Sequence, residues 1–545
     1  MSRPWWKNAV GYQVYPRSFK DTNNDGVGDI AGIIEKLPYL KSLGVDFIWI
    51  NPIYKSPNVD NGYDISDYED VQPEFGSLND FKILLDKAHD IGIKVILDLV
   101  VNHTSDQHPW FIESKKSKDN PYRDYYMWAD ATPDKMPNDW TSFTGNSTWT
   151  YDETTKQAYF HVFAPQQPDL NWRNPKLRQE IYKMIRWWLD LGIDGFRMDA
   201  ISHIQKAPFD YEPPKDDPWK PFMNVKGIDD YMAEMRDIFN QYDIMTVGEA
   251  SGVSSKQAPE WTDPNKKGYI NMIFEWEHNA REGEEGHERI NVDEMKQVLS
   301  RWQKDQENSG WNALYFENHD NPRINTILGN ETKKSAKAIA MSYFFLKGTP
   351  FIYQGQELGM TNYPFKSIDE VDDDESQIRY HNMVNSGKDP KEALQIITHW
   401  TRDHSRTPMQ WTSDIKAGFT EGTPWMKINQ NTKTINVESE MADPDSVLNF
   451  YKKMIAFRKS EPTFIEGNYD WFLQSDPDVY AYLRTDDKKQ FLVIVNFSKQ
   501  KKIVTLPKEL MNDKWQVKLT NTTEKNLTEQ FEMEPYDGFV YECEN

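Results

Sequence analysis

The chain is 545 residues long, 27% charged and 14% aromatic, and carries one cysteine, Cys543. Its 86 Asp and Glu against 63 Lys and Arg leave a net charge of −23, which argues against nucleic acid or an anionic membrane as partner, because both need a basic face. A lone cysteine excludes an internal disulfide framework and disfavours a cysteine zinc site, the aromatic content excludes disorder, and the length allows three or four domains.

The N-terminus, Met1-Ser-Arg-Pro-Trp-Trp, lacks the apolar stretch of a secretory signal, and no run approaches the roughly 20 apolar residues of a membrane span. The expectation is a soluble cytoplasmic protein, a monomer or weak homo-oligomer, with neither membrane nor nucleic acid as partner. The first apolar run, 9–15, reads as a buried strand. After it comes Asp21-Thr-Asn23-Asn-Asp25-Gly-Val27-Gly-Asp29, with oxygen donors at alternating positions and Gly26 at the sharp turn. An EF-hand loop begins this way, but Gly32 stands where position twelve needs Glu, so a true EF-hand is excluded. A solvated Asx-rich turn explains the spacing equally well.

Leu43-Gly44 precedes a second strand at 45–51. Residues 77–91 have helical periodicity, with Ser77 as N-cap and Phe81, Leu84, Leu85, Ala88 and Ile91 on one face. Gly92 stops that helix before a third strand at 94–100. Residues 104–171 are polar and aromatic, with a strand-like piece at 158–163, and read as a domain inserted after strand three. The next helix takes Asn174 as N-cap and Pro175 as its first residue. Its stripe is Leu177, Ile181, Met184, Ile185 and Trp188, and Gly192 ends it before a strand at 194–199. Further strands are predicted at 244–249, 270–275, 312–317 and 349–354.

Helix, glycine stop and buried strand, repeated, is the grammar of a parallel α/β fold. Eight such strands predict a closed (β/α)8 TIM barrel rather than an open doubly wound sheet, and no strand–helix turn carries G-x-G-x-x-G or a P-loop. An irregular, partly acidic stretch, 362–411, follows strand eight. From about 470 the period becomes two. Residues 479–484, a turn at 486–489 and residues 491–497 read as a hairpin of a C-terminal antiparallel β-sandwich domain. The predicted division is barrel 1–103 and 172–469, inserted domain 104–171 and C-terminal domain 470–545.

In such a barrel the chemistry lies at the C-terminal strand ends. Those ends carry Asp60 and Tyr63 after strand two, His103 after three, Arg197 and Asp199 in four, Glu249 in five, and His319 and Asp320 after seven. Arg197 and Asp199 are two apart on a strand and so share a face. The cation holds Asp199 ionised, as a nucleophile requires. Glu249, with Asp199 and Asp320 as negative neighbours, is expected to have a raised pKa and to act as general acid. One ionised and one protonated carboxyl about 5 Å apart is the arrangement of a retaining glycosidase. Asp320 would orient hydroxyls and stabilise an oxocarbenium-like transition state. Singly, each residue has a bland reading: a structural ion pair, a surface Glu, a core His. Their joint placement at successive strand ends overturns those readings.

Four segments carry a resemblance: Asp98-Leu-Val-Val-Asn-His103, Gly195-Phe-Arg-Met-Asp199, Val247-Gly-Glu249 and Phe316-Glu-Asn-His-Asp320. They resemble the four sequence regions of the α-amylase family, glycoside hydrolase family 13. Gln167-Pro-Asp-Leu-Asn-Trp172 resembles the segment typical of its oligo-1,6-glucosidase and α-glucosidase subgroup. The resemblance implies a retaining double displacement with Asp199 as nucleophile, Glu249 as acid/base and Asp320 as transition-state stabiliser. It implies an oligosaccharide substrate and a pocket around one glucosyl unit lined by Asp60, Tyr63, His103, Phe143, Phe163, Arg197, His319 and Arg402. Asp60 with Arg402 (Arg406 being the second choice) would close the non-reducing end and make the enzyme exo-acting. It further implies a structural Ca²⁺, with Mg²⁺ the alternative, held by Asp21, Asn23, Asp25, the Val27 carbonyl and Asp29, and no organic cofactor.

Ala200 follows the nucleophile. In relatives Val there accompanies α-1,6 preference and a smaller residue accompanies α-1,4 preference, a difference of about 1–3 kcal/mol. The expected activity is therefore release of glucose from maltose and short malto-oligosaccharides, with transglucosylation as a side reaction. His203 and Ser251 border the same acceptor side, where Asn321 departs from the commonest family pattern. The alternatives are an oligo-1,6-glucosidase or dextran glucosidase, a trehalose-6-phosphate hydrolase, which needs a basic phosphate pocket, and a non-catalytic relative, which would have a degraded triad.

Overall fold

The computed structural model describes residues 3–511 and 514–544. These form two compact units, one from 49 to 275 and the other from the segments on either side. Eight strands make one sheet: β1 Gly11–Val14, β2 Phe47–Ile50, β3 Lys94–Val100, β4 Gly195–Asp199, β5 Met245–Glu249, β6 Met272–Phe274, β7 Ala313–Leu314 and β8 Thr349–Tyr353. Their order is β6-β5-β4-β3-β2-β1-β8-β7. The first strand pairs in parallel with the last, Gly11 opposite Phe351, and β7 pairs in parallel with β8. That is the cyclic order of a (β/α)8 barrel, as predicted. Almost every strand residue is buried, the pattern of a parallel sheet covered on both faces.

Local signals place the helices. α1, Leu78–Asp90, starts on a capping box in which Ser77 and Asp80 exchange side-chain-to-backbone bonds. α2, Pro175–Leu191, starts on Asn174, whose side chain accepts from the Lys176 amide, and ends on Gly192 at φ 106°. Among strands the largest departure is the seventh, predicted over 312–317 but limited to Ala313–Leu314. The Glu317 carboxylate accepts the Ile324 amide at 2.8 Å and pairs with Arg323 at 3.1 Å, both buried. Those contacts close a loop over 317–324 and take the backbone out of the sheet.

Between β3 and β4 a three-stranded antiparallel sheet is formed by residues 128–130, 149–152 and 157–160. Its core is aromatic: Trp140, Trp149, Phe160 and Phe222, with Met127 and Val162. The C-terminal region contains β9 Asn468–Phe472, β10 Val479–Thr485, β11 Lys489–Asn496, β12 Lys502–Thr505, β13 Gln516–Thr520, β14 Gln530–Met533 and β15 Gly538–Glu544. One sheet has the order β9-β10-β11-β15-β13 and a second pairs β12 with β14. The predicted hairpin is β10–β11, with Val479 opposite Asn496. Side chains of both sheets, among them Leu492, Ile494, Val504, Phe531 and Phe539, share one core, which makes the sandwich. Among the described residues no helix is long and apolar enough to cross a membrane.

Candidate active site

In the unit from 49 to 275 the parallel register sets Asp98 of β3 opposite Arg197 of β4, and Val100 opposite Asp199. Arg197 is 1% exposed and serves three carboxylates. Its Nη1 donates to Asp98 Oδ1 at 2.5 Å and to Asp199 Oδ1 at 2.7 Å, and its Nη2 donates to Glu249 Oε1. Burial works against the guanidinium charge, but Asp98, Tyr63 and Asp199 outweigh it and raise its pKa. The sequence pairs Arg197 with Asp199 and gives Glu249 the negative neighbours Asp199 and Asp320. The structure adds a contact that spacing does not show: Glu249 ends β5, next to β4 in the sheet, and shares the cation.

Asp98, which lies in a family motif and has no role readable from the sequence, is the most buried acid of this cluster. Its second oxygen accepts the Trp49 indole N–H at 2.7 Å. Burial pushes its carboxyl up to about 7; Arg197 opposes the shift and Asp199 adds to it. With one cation among three acids, burial favours the protonated form of Asp98.

Strain marks the next residue. Ala200 adopts φ 43°, ψ 33°, a left-handed conformation uncommon outside glycine. Its amide donates to Glu249 Oε2 at 3.2 Å. At the foot of the same strand Gly195 has φ 143°, and a Cβ there would lie 1.8 Å from the Met245 carbonyl oxygen, so only glycine lets β4 and β5 approach.

The other expected residues of this unit form one neighbourhood. Asp60 accepts the Gln167 amide nitrogen at 3.0 Å. Tyr63 OH accepts from Asn51 at 2.8 Å, and Arg197 lies 3.4 Å from it. His103 Nε2 donates to the Tyr63 carbonyl at 3.1 Å and its Nδ1 accepts from Asn102 at 3.3 Å. Asn102 is in turn held by Lys206 at 2.7 Å, and Lys206 by Asp169 at 2.6 Å, a fully buried ion pair. Burial lowers the pKa of His103, and that of His203 to about 4, so both rings are neutral around pH 7. His203 Nδ1 donates to the Phe222 carbonyl at 2.6 Å. Phe143 and Phe163 are ring neighbours at 5.4 Å. Gln167, Asp169 and Lys206 carry no assignment from sequence reasoning; the Gln167–Trp172 motif was the available signal.

In the other unit, Gln13 donates to His319 Nδ1 at 2.9 Å, which leaves Nε2–H for Asp320 Oδ2 at 3.1 Å. The His319 ring stacks on Tyr15. Arg406 reaches the His319 carbonyl and Asp320 Oδ1, both at 3.0 Å. Arg402 is 3.3 Å from the same oxygen, but its main partner is Asp373, at 2.9 Å from Nε and 2.5 Å from Nη2. Burial opposes the Asp373 charge, yet Arg402 and Arg406 hold its carboxyl below the usual range. Arg406, the second choice from sequence, is thus the deeper of the two cations on Asp320.

The loop at 21–29 is wound by its own side chains. Asp21 accepts the amides of Asn23, Asn24 and Gly26, Asn23 accepts that of Asp25, and Asp25 accepts that of Val27. Asp29 caps the following helix through the Gly32 amide at 2.6 Å. Among the described residues no three His, Cys, Asp or Glu side chains are grouped to hold an ion. A cation here would depend on Asn23 and the Val27 carbonyl as well, an all-oxygen set that suits a hard ion.

Residues 13–467 match the α-amylase catalytic domain and residues 479–540 the C-terminal domain of the α-amylase SusG. An oligo-1,6-glucosidase of Parageobacillus thermoglucosidasius is 46% identical, with 99% of each chain covered. An α-glucosidase of Pediococcus pentosaceus is 40% identical at the same coverage. Among solved structures, Bacillus licheniformis trehalose-6-phosphate hydrolase superposes with a TM-score of 0.94 at 41% identity, covering all of both chains.

Proposed function

The chain belongs to the α-amylase family of glycoside hydrolases, and we propose that it is an exo-acting, retaining α-glucosidase of short gluco-oligosaccharides whose preferred bond is α-1,6. The observation that carries the chemistry is the shared guanidinium: Asp199 and Glu249 rest on the two terminal nitrogens of Arg197. Two carboxyls that share one guanidinium support the short separation, about 5 Å, that a retaining pair needs. Asp199, anchored by the cation, is the nucleophile. Glu249, restrained by Arg197 and the Ala200 amide, is the acid/base. Asp320, held by His319, Arg402 and Arg406, is the third carboxylate. Asp60, Tyr63, His103, Phe143 and Phe163 bind the glucosyl unit.

Relatives named oligo-1,6-glucosidase support the α-1,6 preference, against the α-1,4 expectation drawn from Ala200. That small residue favours a second reading, in which maltose is hydrolysed as well. A phosphorylated substrate fits less well, since Arg197 and Lys206 are both committed to buried carboxylates. The test is comparative kinetics on isomaltose, maltose and trehalose 6-phosphate, with the first-formed anomer followed by proton NMR. A β-glucose first product refutes retention, and maltose cleaved far faster than isomaltose refutes the linkage.

The 21–29 loop is proposed to take a structural Ca²⁺ through Asp21, Asn23, Asp25, Asp29 and the Val27 carbonyl, supported by its oxygen-only donors. Calcium should raise the melting temperature of chelator-treated protein; an unchanged melt in millimolar calcium removes the site.

A further inference from the structure

A line of aromatic rings leads outward from the pocket-lining residues. His103, 1% exposed, meets Phe163 at 5.1 Å, Phe163 meets Phe143 at 5.4 Å, and Phe143 meets Trp219 at 5.0 Å. Phe163 and Phe143 are half-buried, and Trp219 is 39% exposed. Burial therefore falls along the line, from a buried ring through two half-buried ones to an exposed one, in steps comparable with the length of one hexose. Phe143 also meets His203 at 5.3 Å, in the turn that follows Ala200.

Trp219 stands in a segment, 208–220, that is exposed almost throughout. Pro213, Pro214 and Pro218 precede it and Pro221 follows, and each proline fixes its φ and lowers the freedom of the chain. The Trp219 carbonyl accepts the Phe222 amide at 3.1 Å, and the fully buried Phe222 ring packs on Phe143 at 5.6 Å. A large ring is thus held rigidly against the aromatic line with more than a third of its surface in water. A core role does not account for that exposure, and a rigid indole presents stacking area at low entropic cost.

We propose that Trp219 is the stacking platform for a glucosyl unit on the reducing-end side of the bond being cut, and that it sets chain-length preference. This rests on the α-glucosidase reading above. The test compares wild type with Trp219→Ala and Trp219→Phe on isomaltose and isomaltotriose. In Trp219→Ala the ratio of kcat/KM on trisaccharide to that on disaccharide should fall about fivefold or more, through KM, and Trp219→Phe should restore most of it. In an Asp199→Asn background, isomaltotriose should quench tryptophan fluorescence with a Kd raised similarly by Trp219→Ala. An unchanged ratio together with an unchanged Kd overturns the platform while leaving the α-glucosidase reading intact. A wild type that cleaves neither isomaltose nor maltose refutes that reading, and the platform with it.

Discussion

Arg197→Lys separates two roles of one cation. In the structure Nη1 serves Asp98 at 2.5 Å and Asp199 at 2.7 Å, while Nη2 serves Glu249. A lysine ammonium has all its protons on one nitrogen, so it can replace Nη1 but not both. Asp98 and Asp199 keep a counter-charge, and Glu249 loses its arginine. A charge-assisted hydrogen bond is worth about 1.5–3 kcal/mol. At 1.36 kcal/mol per decade that is about 10- to 150-fold in rate, if the contact persists in the transition state. The loss should depend on the leaving group. Isomaltose, which departs as a poor alkoxide, needs proton donation; an aryl α-glucoside with an acidic phenol needs little. The assay is kcat on both substrates, beside the denaturation midpoint. Folding stability should fall far less than in Arg197→Ala, which leaves buried acids without a cation at a cost of about 3–5 kcal/mol. Wild-type kcat on isomaltose, or an equal loss on both substrates, would refute the positioning of Glu249 by Arg197.

Burial pushes Glu440 up to about 8, with Glu357 and Asp443 adding to the shift and the Leu448 amide and Lys333 opposing it. A carboxyl with a folded pKa above its unfolded value of about 4.3 contributes stability at low pH that is lost as pH rises toward 8. Glu440→Gln should therefore flatten the decline of the denaturation midpoint between about pH 5 and 8; a slope equal to wild type counts against it. Gly195→Ala places a Cβ 1.8 Å from backbone oxygen at φ 143°, and should yield insoluble protein or lose more than about 3 kcal/mol, so a wild-type melt would contradict the packing. Ala200→Val should shift the isomaltose-to-maltose ratio of kcat/KM about tenfold or more toward isomaltose, with some loss of stability from a β-branched residue at φ 43°. An unmoved ratio would show that the residue-200 side chain does not read the linkage.

The amino-acid sequence by itself determined the layers and which side chains stand at the strand ends. Ser77, Asn174 and Gly192 act within a turn of their own position, so caps and stops are local signals. Buried runs between them mark parallel strands, two of which end on Asp199 and Glu249, with Asp320 following a third. Tertiary structure decided which groups share a partner. That Arg197 serves three acids depends on the registers that bring β3 and β5 alongside β4, and no residue spacing encodes a register between segments so far apart in the chain. The same holds for Asp98, whose proton affinity comes from burial and from Asp199 against the opposing Arg197 and Trp49 contacts, and for Arg406, whose depth beside Asp320 exceeds that of Arg402. Trp219 belongs with them: as a residue type it reads equally as core or surface, and only its exposure at the end of a line of rings that starts buried distinguishes it.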